Sequence, residues 1–132
     1  MDLEMIEEML PNGFHDAYLS ELRIDLVRRE VCLFLYALFG DDDQPEAERY
    51  KKCKMTIHNY AAAIIETAVA YREIKGTRGL EVDRTALTEA DQRSVTQAGY
   101  KIPTENFWLS LFVYAWNSRI IVNAPDATIE FL

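Results

Sequence analysis

The sequence predicts an α+β domain, predominantly antiparallel β: a compact sheet or sandwich with a short N-terminal helix and room for one further helix. Three tracts carry that expectation. Leu22, Ile24 and Leu26 alternate with Glu21, Arg23 and Asp25, the period of a half-buried strand, and Val31–Phe39 follows as a second strand past a polar corner. Phe107–Trp116, Ile120–Val122 and Thr128–Phe131 are apolar runs broken at Asn117-Ser118 and Pro125-Asp126. Residues 2–10 instead place Leu3, Ile6 and Met9/Leu10 on one side of a helix.

Taken in chain order, the helix starts on Asp2 as N-cap and ends at Pro11 and Gly13. Folding the first hairpin about Arg28-Arg29 sets Leu26 against Val31, Ile24 against Leu33 and Leu22 against Leu35, all on one side. Both positions of a two-residue type I′ turn need positive φ, so a four-residue loop, Val27 to Glu30, suits the register better. The second strand is apolar on both faces, which places it in mid-sheet or between two layers. Residues 40–46, with Asp41-Asp42-Asp43, read as a solvated loop. Lys52, Lys54, Thr56 and His58 then alternate with Cys53, Met55 and Ile57, a strand running to about residue 60. Ile57, Tyr60, Ala61, Ile64, Ile65 and Ala68 also fit helical spacing, with Gly76 as a stop, so the pattern leaves 61–75 open between strand and helix. Gly79 to Arg84 reads as a short strand, and Thr88-Glu89-Ala90-Asp91 as a capping box opening a turn or two of helix before Pro103. Folding the C-terminal runs sets Val113 and Ala115 beside Val122 and Ile120, and those beside Ile129 and Phe131, a three-stranded meander.

The chain has 132 residues, 49% of them apolar and 27% charged, which suits a single domain over 1–132 with one hydrophobic core. Its net charge of −8 is lopsided: residues 1–50 carry −9 and residues 51–132 carry +1. Such a balance repels nucleic acid and anionic membranes and attracts a basic partner. No apolar run approaches the roughly 20 residues of a membrane helix, and the acidic start Met1–Met5 does not read as a secretory signal. A cytoplasmic location is expected. Cys32 and Cys53 form no CxxC pair, so reduced core thiols are expected.

His15-Asp16 is the first candidate for chemistry, because an adjacent carboxylate orients an imidazole and raises its pKa. The two side chains meet only if the segment is a turn. Zinc is a poor expectation: His15, His58, Cys32 and Cys53 lack paired spacing, and Cys53 and His58 fall on opposite faces of one strand. Three consecutive acids at 41–43 do not make a calcium loop, and Lys51-Lys52-Cys53-Lys54 is too small for a nucleic-acid footprint. Trp108, Phe112, Tyr114 and Trp116 form an aromatic stripe, read either as a second core layer or as a partner surface. GxSxG, GxGxxG, phosphate-loop and HExxH patterns are all missing from the sequence, so none of these motifs argues for catalysis, and no cofactor is expected.

Pro11-Asn12-Gly13-Phe14-His15-Asp16-Ala17-Tyr18-Leu19, followed by Leu22-Arg23-Ile24-Asp25, resembles a set of small bacterial β-rich domains that open with a Phe-His-Asp-x-x-Leu element. Some of those are of immunity-protein type, neutralising a toxin. The resemblance covers about a fifth of the chain; it implies a compact β-rich fold and transfers no catalytic residue. The expected function is a non-enzymatic protein-binding domain that engages a partner, such as a basic toxin, through its acidic N-terminal region or its aromatic C-terminal sheet around Trp108 and Trp116. The alternative is a small-molecule binder or hydrolytic enzyme with a pocket near His15, Asp16 and His58. Homo-oligomerisation through the aromatic strand is a third expectation.

Overall fold

The computed structural model describes residues 1–40, 43–45, 48–66, 78–97, 99 and 101–132. Expectations for Asp41, Asp42, residues 67–75 and Gly76 lie outside the described residues. The elements are α1 (Leu3–Glu8), β1 (Ala17–Asp25), β2 (Glu30–Leu38), β3 (Tyr50–His58), β4 (Ala62–Ile65), β5 (Leu80–Arg84), α2 (Glu89–Gln97), β6 (Phe107–Val113), β7 (Ser118–Ala124) and β8 (Asp126–Phe131). The eight strands form one open sheet in the order β4-β7-β6-β5-β1-β2-β3-β8, every pair antiparallel. The expected β-rich α+β class with an N-terminal and a further helix is what the chain adopts.

Two connections show that this sheet is curled. In a flat sheet β3 and β4 would lie roughly 29 Å apart, six strand spacings. The chain passes from His58 to Ala62, a reach of at most about 14 Å. Likewise β7 and β8 sit near opposite edges yet are separated only by Pro125. The sheet must bend round until its two ends approach. Its inner face then carries Leu19, Val31, Leu33, Leu35, Met55, Ile57, Val82, Leu109, Leu111, Val113, Ile120 and Val122, all buried. Asp2 caps α1 by accepting the Met5 amide at 2.9 Å, and Leu3, Ile6 and Leu10 turn into the same core. Cys53 is buried there too, and desolvation pushes its thiol up to about 11.

On the outer face, α2 lies against β7. Thr88 and Asp91 exchange capping contacts (2.8 and 3.1 Å), and the Asp91 carboxylate reaches Arg119. Ser110, Ile121 and Asn123 are buried on that side of the sheet, whereas α2 itself buries no residue. Among the described residues no helix is long and apolar enough to cross a membrane.

Several expectations need correction. In the first hairpin Ile24 faces Val31 and Leu22 faces Leu33, one pair displaced from the predicted register, with Leu26–Arg29 as the loop. Asp25 decides this by accepting the Val27 and Arg28 amides at 3.0 and 2.9 Å, while Arg29 takes φ 55°. A two-residue shift preserves which side faces the core. β3 stops at His58, where Asn59 turns with φ 53°, and Ala62–Ile65 is strand. The predicted meander does not form. Leu111 faces Ile120 and Leu109 faces Val122, and β8 pairs with β3 through Met55–Ile129 and Cys53–Phe131. A hairpin needs a two-residue turn to reverse the chain, and Pro125 alone bends it onward instead. Cys32 is half-buried on the outer face, 3.8 Å from the Thr56 hydroxyl, rather than in the core.

Candidate functional site

The segment from Pro11 to Asp16 is a run of turns whose alternation is set by one anchor. Phe14 is buried in the core, so its neighbour His15 points out. Asp16 then takes the left-handed conformation (φ 55°), a cost that a short polar side chain bears most easily, and Ala17 re-enters the core as the start of β1. Asn12 ties the turn to the end of β2 by donating to the Leu38 carbonyl at 2.9 Å. This geometry makes the adjacent side chains meet: His15 Nε2 lies 3.3 Å from Asp16 Oδ2.

β5 supplies the rest. Val82 points inward opposite Ala17, so Glu81 and Asp83 share the outer face. His15 Nδ1 lies 2.8 Å from Asp83 Oδ1, and the Tyr114 hydroxyl donates to Asp83 Oδ2 at 2.6 Å. The hydrogen bond to Asp83, with the charge of Asp16, raises the His15 pKa. Partial burial alone would raise Asp83, but the bonds from Tyr114 and His15 outweigh it and hold its carboxyl down. Glu81 is pushed up, first by desolvation and then by the neighbouring charge of Asp16. The bond to Asp83 raises the Tyr114 phenol to about 12.

Three carboxylates therefore converge around one imidazole. With a carboxylate at each ring nitrogen, His15 favours the imidazolium form, which is a poor general base near neutral pH. The arrangement suits charge pairing better than proton abstraction. His15, Asp16 and Asp83 each offer one ligand atom, all within 4.8 Å of one another, so a divalent cation is geometrically compatible with the same three groups.

Aromatic rings frame the cluster. Tyr18 is the cross-strand partner of Glu81, and Phe112 that of Asp83. Phe112 and Tyr114 pack edge-on at 5.1 Å, as do Tyr18 and Tyr50 at 5.4 Å. The Arg78 guanidinium lies 4.4 Å from the centre of the Tyr50 ring, so this face already receives one such group from the chain itself.

The other sequence candidates lie elsewhere. His58 is at the far end of β3, with Nε2 3.1 Å from the Thr128 hydroxyl and Nδ1 4.0 Å from Glu30. The β3 residue level with His15 is near Lys52, which faces Tyr36, the partner of Tyr18. Six residues separate it from His58, roughly 20 Å of strand. The structure brings His15 and Asp16 together and leaves His58 apart. Trp108 is half-buried on the outer face of β6, while Trp116 lies in the turn after β6 and packs against the core. They do not share a surface. Lys51, Lys52 and Lys54 rest over Phe39, Tyr36 and Phe34.

Sequence reasoning missed Glu81 and Asp83, and named Tyr114 only as part of the aromatic stripe. The readable signal was Glu81-Val82-Asp83, an apolar residue between two acids, which puts both carboxylates on one solvent face. No protein-family model, no curated protein and no solved structure matches the chain.

Proposed function

We propose that the chain is a non-enzymatic protein-binding domain that takes a basic side chain of its partner at the Asp16–Glu81–Asp83 cluster. One observation carries the reading: among the described residues three carboxylates converge around one imidazole, and partial desolvation together with the charge of Asp16 raises the Glu81 pKa. An incoming guanidinium relieves that repulsion and finds aromatic edges and faces at Tyr18, Phe112 and Tyr114. The lopsided charge of the first 50 residues adds long-range attraction for such a partner. A toxin with a basic surface is the concrete instance implied by the likeness at Phe14-His15-Asp16 to immunity-type domains.

The peptide Gly-Arg-Gly-Arg-Gly, titrated while backbone NMR shifts are followed, tests the proposal. Shifts are expected at Tyr18, Glu81 and Phe112, fading as salt rises. Asp83→Asn and Glu81→Gln should each weaken the interaction several-fold. If neither variant alters peptide binding, or if the shifts map to another face, the reading is wrong.

A further inference from the structure

The row of cross-strand neighbours through Tyr18 carries opposite charges at its two ends. Glu81 on β5 faces Tyr18 on β1, Tyr18 faces Tyr36 on β2, and Tyr36 faces Lys52 on β3. All four side chains stand on the outer face, the two charged ones exposed and the two tyrosines half-buried. Three strand spacings, roughly 14 Å, separate Glu81 from Lys52. Neighbouring rows have the same polarity. Asp16 and Asp83 lie on the β5–β1 side, and Lys54 lies on the β3 side with its ammonium 5.8 Å from the centre of the Phe34 ring. Arg23, a basic group on β1, is tied to Glu21 at 2.7 Å.

Acid, ring, ring, base is an order that complements itself when reversed. A two-fold axis running along the strands between β1 and β2 brings two outer faces together and exchanges the ends of the row. Glu81 of each copy then meets Lys52 of the other, and Tyr18 meets Tyr36, so two ion pairs form at once in the isologous pattern of closed dimers. The curl of the sheet makes this face convex. Contact is therefore closest at the tyrosines, and the long side chains of Glu81 and Lys52 span the gap that opens on either side. The net charge of −8 on each copy opposes association. At 0.15 M salt that repulsion is screened beyond about 8 Å, whereas pairs in contact are screened much less. We propose that the outer face of β5–β1–β2–β3 is the interface of a homodimer held by reciprocal Glu81–Lys52 pairs across a tyrosine centre. The inference rests on the acidic cluster taking a basic side chain, as proposed above, and supplies that side chain from a second copy. An interface this narrow falls below the standard size, so a weak dimer is expected, with a Kd on the order of 100 μM.

Sedimentation velocity of the whole chain, from about ten-fold below that concentration to about ten-fold above it, is the test. The average mass should climb from one chain towards two. Lys52→Glu and Glu81→Lys, both at exposed positions, should each weaken association roughly ten-fold or more, because each sets like charges together twice. An equimolar mixture of these two variants should associate again, since one of each restores opposite charges at both ends of the row. Lys51→Glu makes the same change in net charge on the other face of β3 and should leave association intact. If Glu81→Lys does not fold, the comparison of Lys52→Glu with Lys51→Glu decides alone. A chain that stays monomeric throughout, a loss in Lys51→Glu equal to that in Lys52→Glu, or a mixture that stays monomeric would each overturn the inference. Lys52→Glu leaves the acidic cluster intact, so its titration with Gly-Arg-Gly-Arg-Gly reads the earlier proposal separately. Peptide binding by a chain that never dimerises sinks the dimer alone.

Discussion

Two carboxylate clusters sit on the outer face of this sheet, and they are resolved in opposite ways. At the β7–α2 contact, Arg119 donates to both oxygens of Glu66 and both of Asp91, at 2.8–3.2 Å across backbone and side chain. Its charge is permanent, and its bonds hold the carboxyls of Glu66 and Asp91 below the usual range. At the β1–β5 contact, Asp16, Glu81 and Asp83 surround His15, whose charge depends on pH and whose ring contacts Asp16 and Asp83 among the described residues. The first cluster is complete in itself and serves the fold. Among the described residues the second sets one imidazole against three carboxylates, and the proposed function rests on that imbalance.

Variants can break that contrast. The largest effect is expected from Arg119→Met, which strands Glu66 and Asp91 and loosens α2. Since the paired side chains are 24–35% exposed, a loss of about 1–2 kcal/mol is expected, below the value for a fully buried pair. Urea unfolding measures it, and an unchanged midpoint would mean that the clamp is idle. Tyr114→Phe deletes the 2.6 Å bond to Asp83 from a partly exposed phenol, so about 0.5–1 kcal/mol should be lost. The same variant should let the Asp83 carboxyl rise, which a side-chain NMR titration can follow.

His15→Ala sharpens the comparison through its pH dependence. The folded pKa of His15 lies above its ordinary value, so its stabilisation is fully present below about pH 6.5 and fades as pH rises through the folded value. Wild type should exceed the variant in urea midpoint at pH 5.5 and lose that advantage by pH 9. A difference that does not vary with pH would contradict the imidazolium assignment. The smallest effect, and one of opposite sign, is expected for Glu81→Gln. A raised carboxyl pKa means that the fold disfavours the charged form at pH 7, so the neutral amide should add about a few tenths of a kcal/mol. That gain should vanish on acidification through the folded pKa of Glu81, where the wild-type side chain is protonated. Stability gained together with peptide affinity lost is the pattern expected of a residue kept for recognition.

Much of the fold was legible because strand period survives errors of register. Leu22 and Ile24 share the face of Leu33 and Val31 whichever pair they oppose, although Ile24, near the hairpin loop, stays 37% exposed, and β2 reads as a central strand from its two apolar faces alone. The position of β8 was not legible. Its alternation at Ala127, Ile129 and Phe131 fits any neighbour with an apolar face, and only the one-residue link at Pro125 tells that it leaves β7 and joins β3. For the site, the turn at Phe14-His15-Asp16 and the meeting of its side chains followed from local chemistry. The contribution of Asp83 did not, since it depends on β5 pairing with β1 across 61 to 65 positions, from Leu19↔Leu80 to Ala17↔Val82. Long-range pairing leaves no mark on neighbouring residues.

The bend at Pro125 also bears on how the molecule reaches its native state. Met55 and Ile129 become neighbours although 74 positions separate them, and the β3 ladder is incomplete until that encounter occurs. Ring-like closure over such a span is entropically late, so refolding should be slow for a chain of this size, in the millisecond-to-second class of non-local β topologies. Until β8 arrives, β3 presents a bare row of amides and carbonyls, a surface on which one nascent molecule can be captured by another.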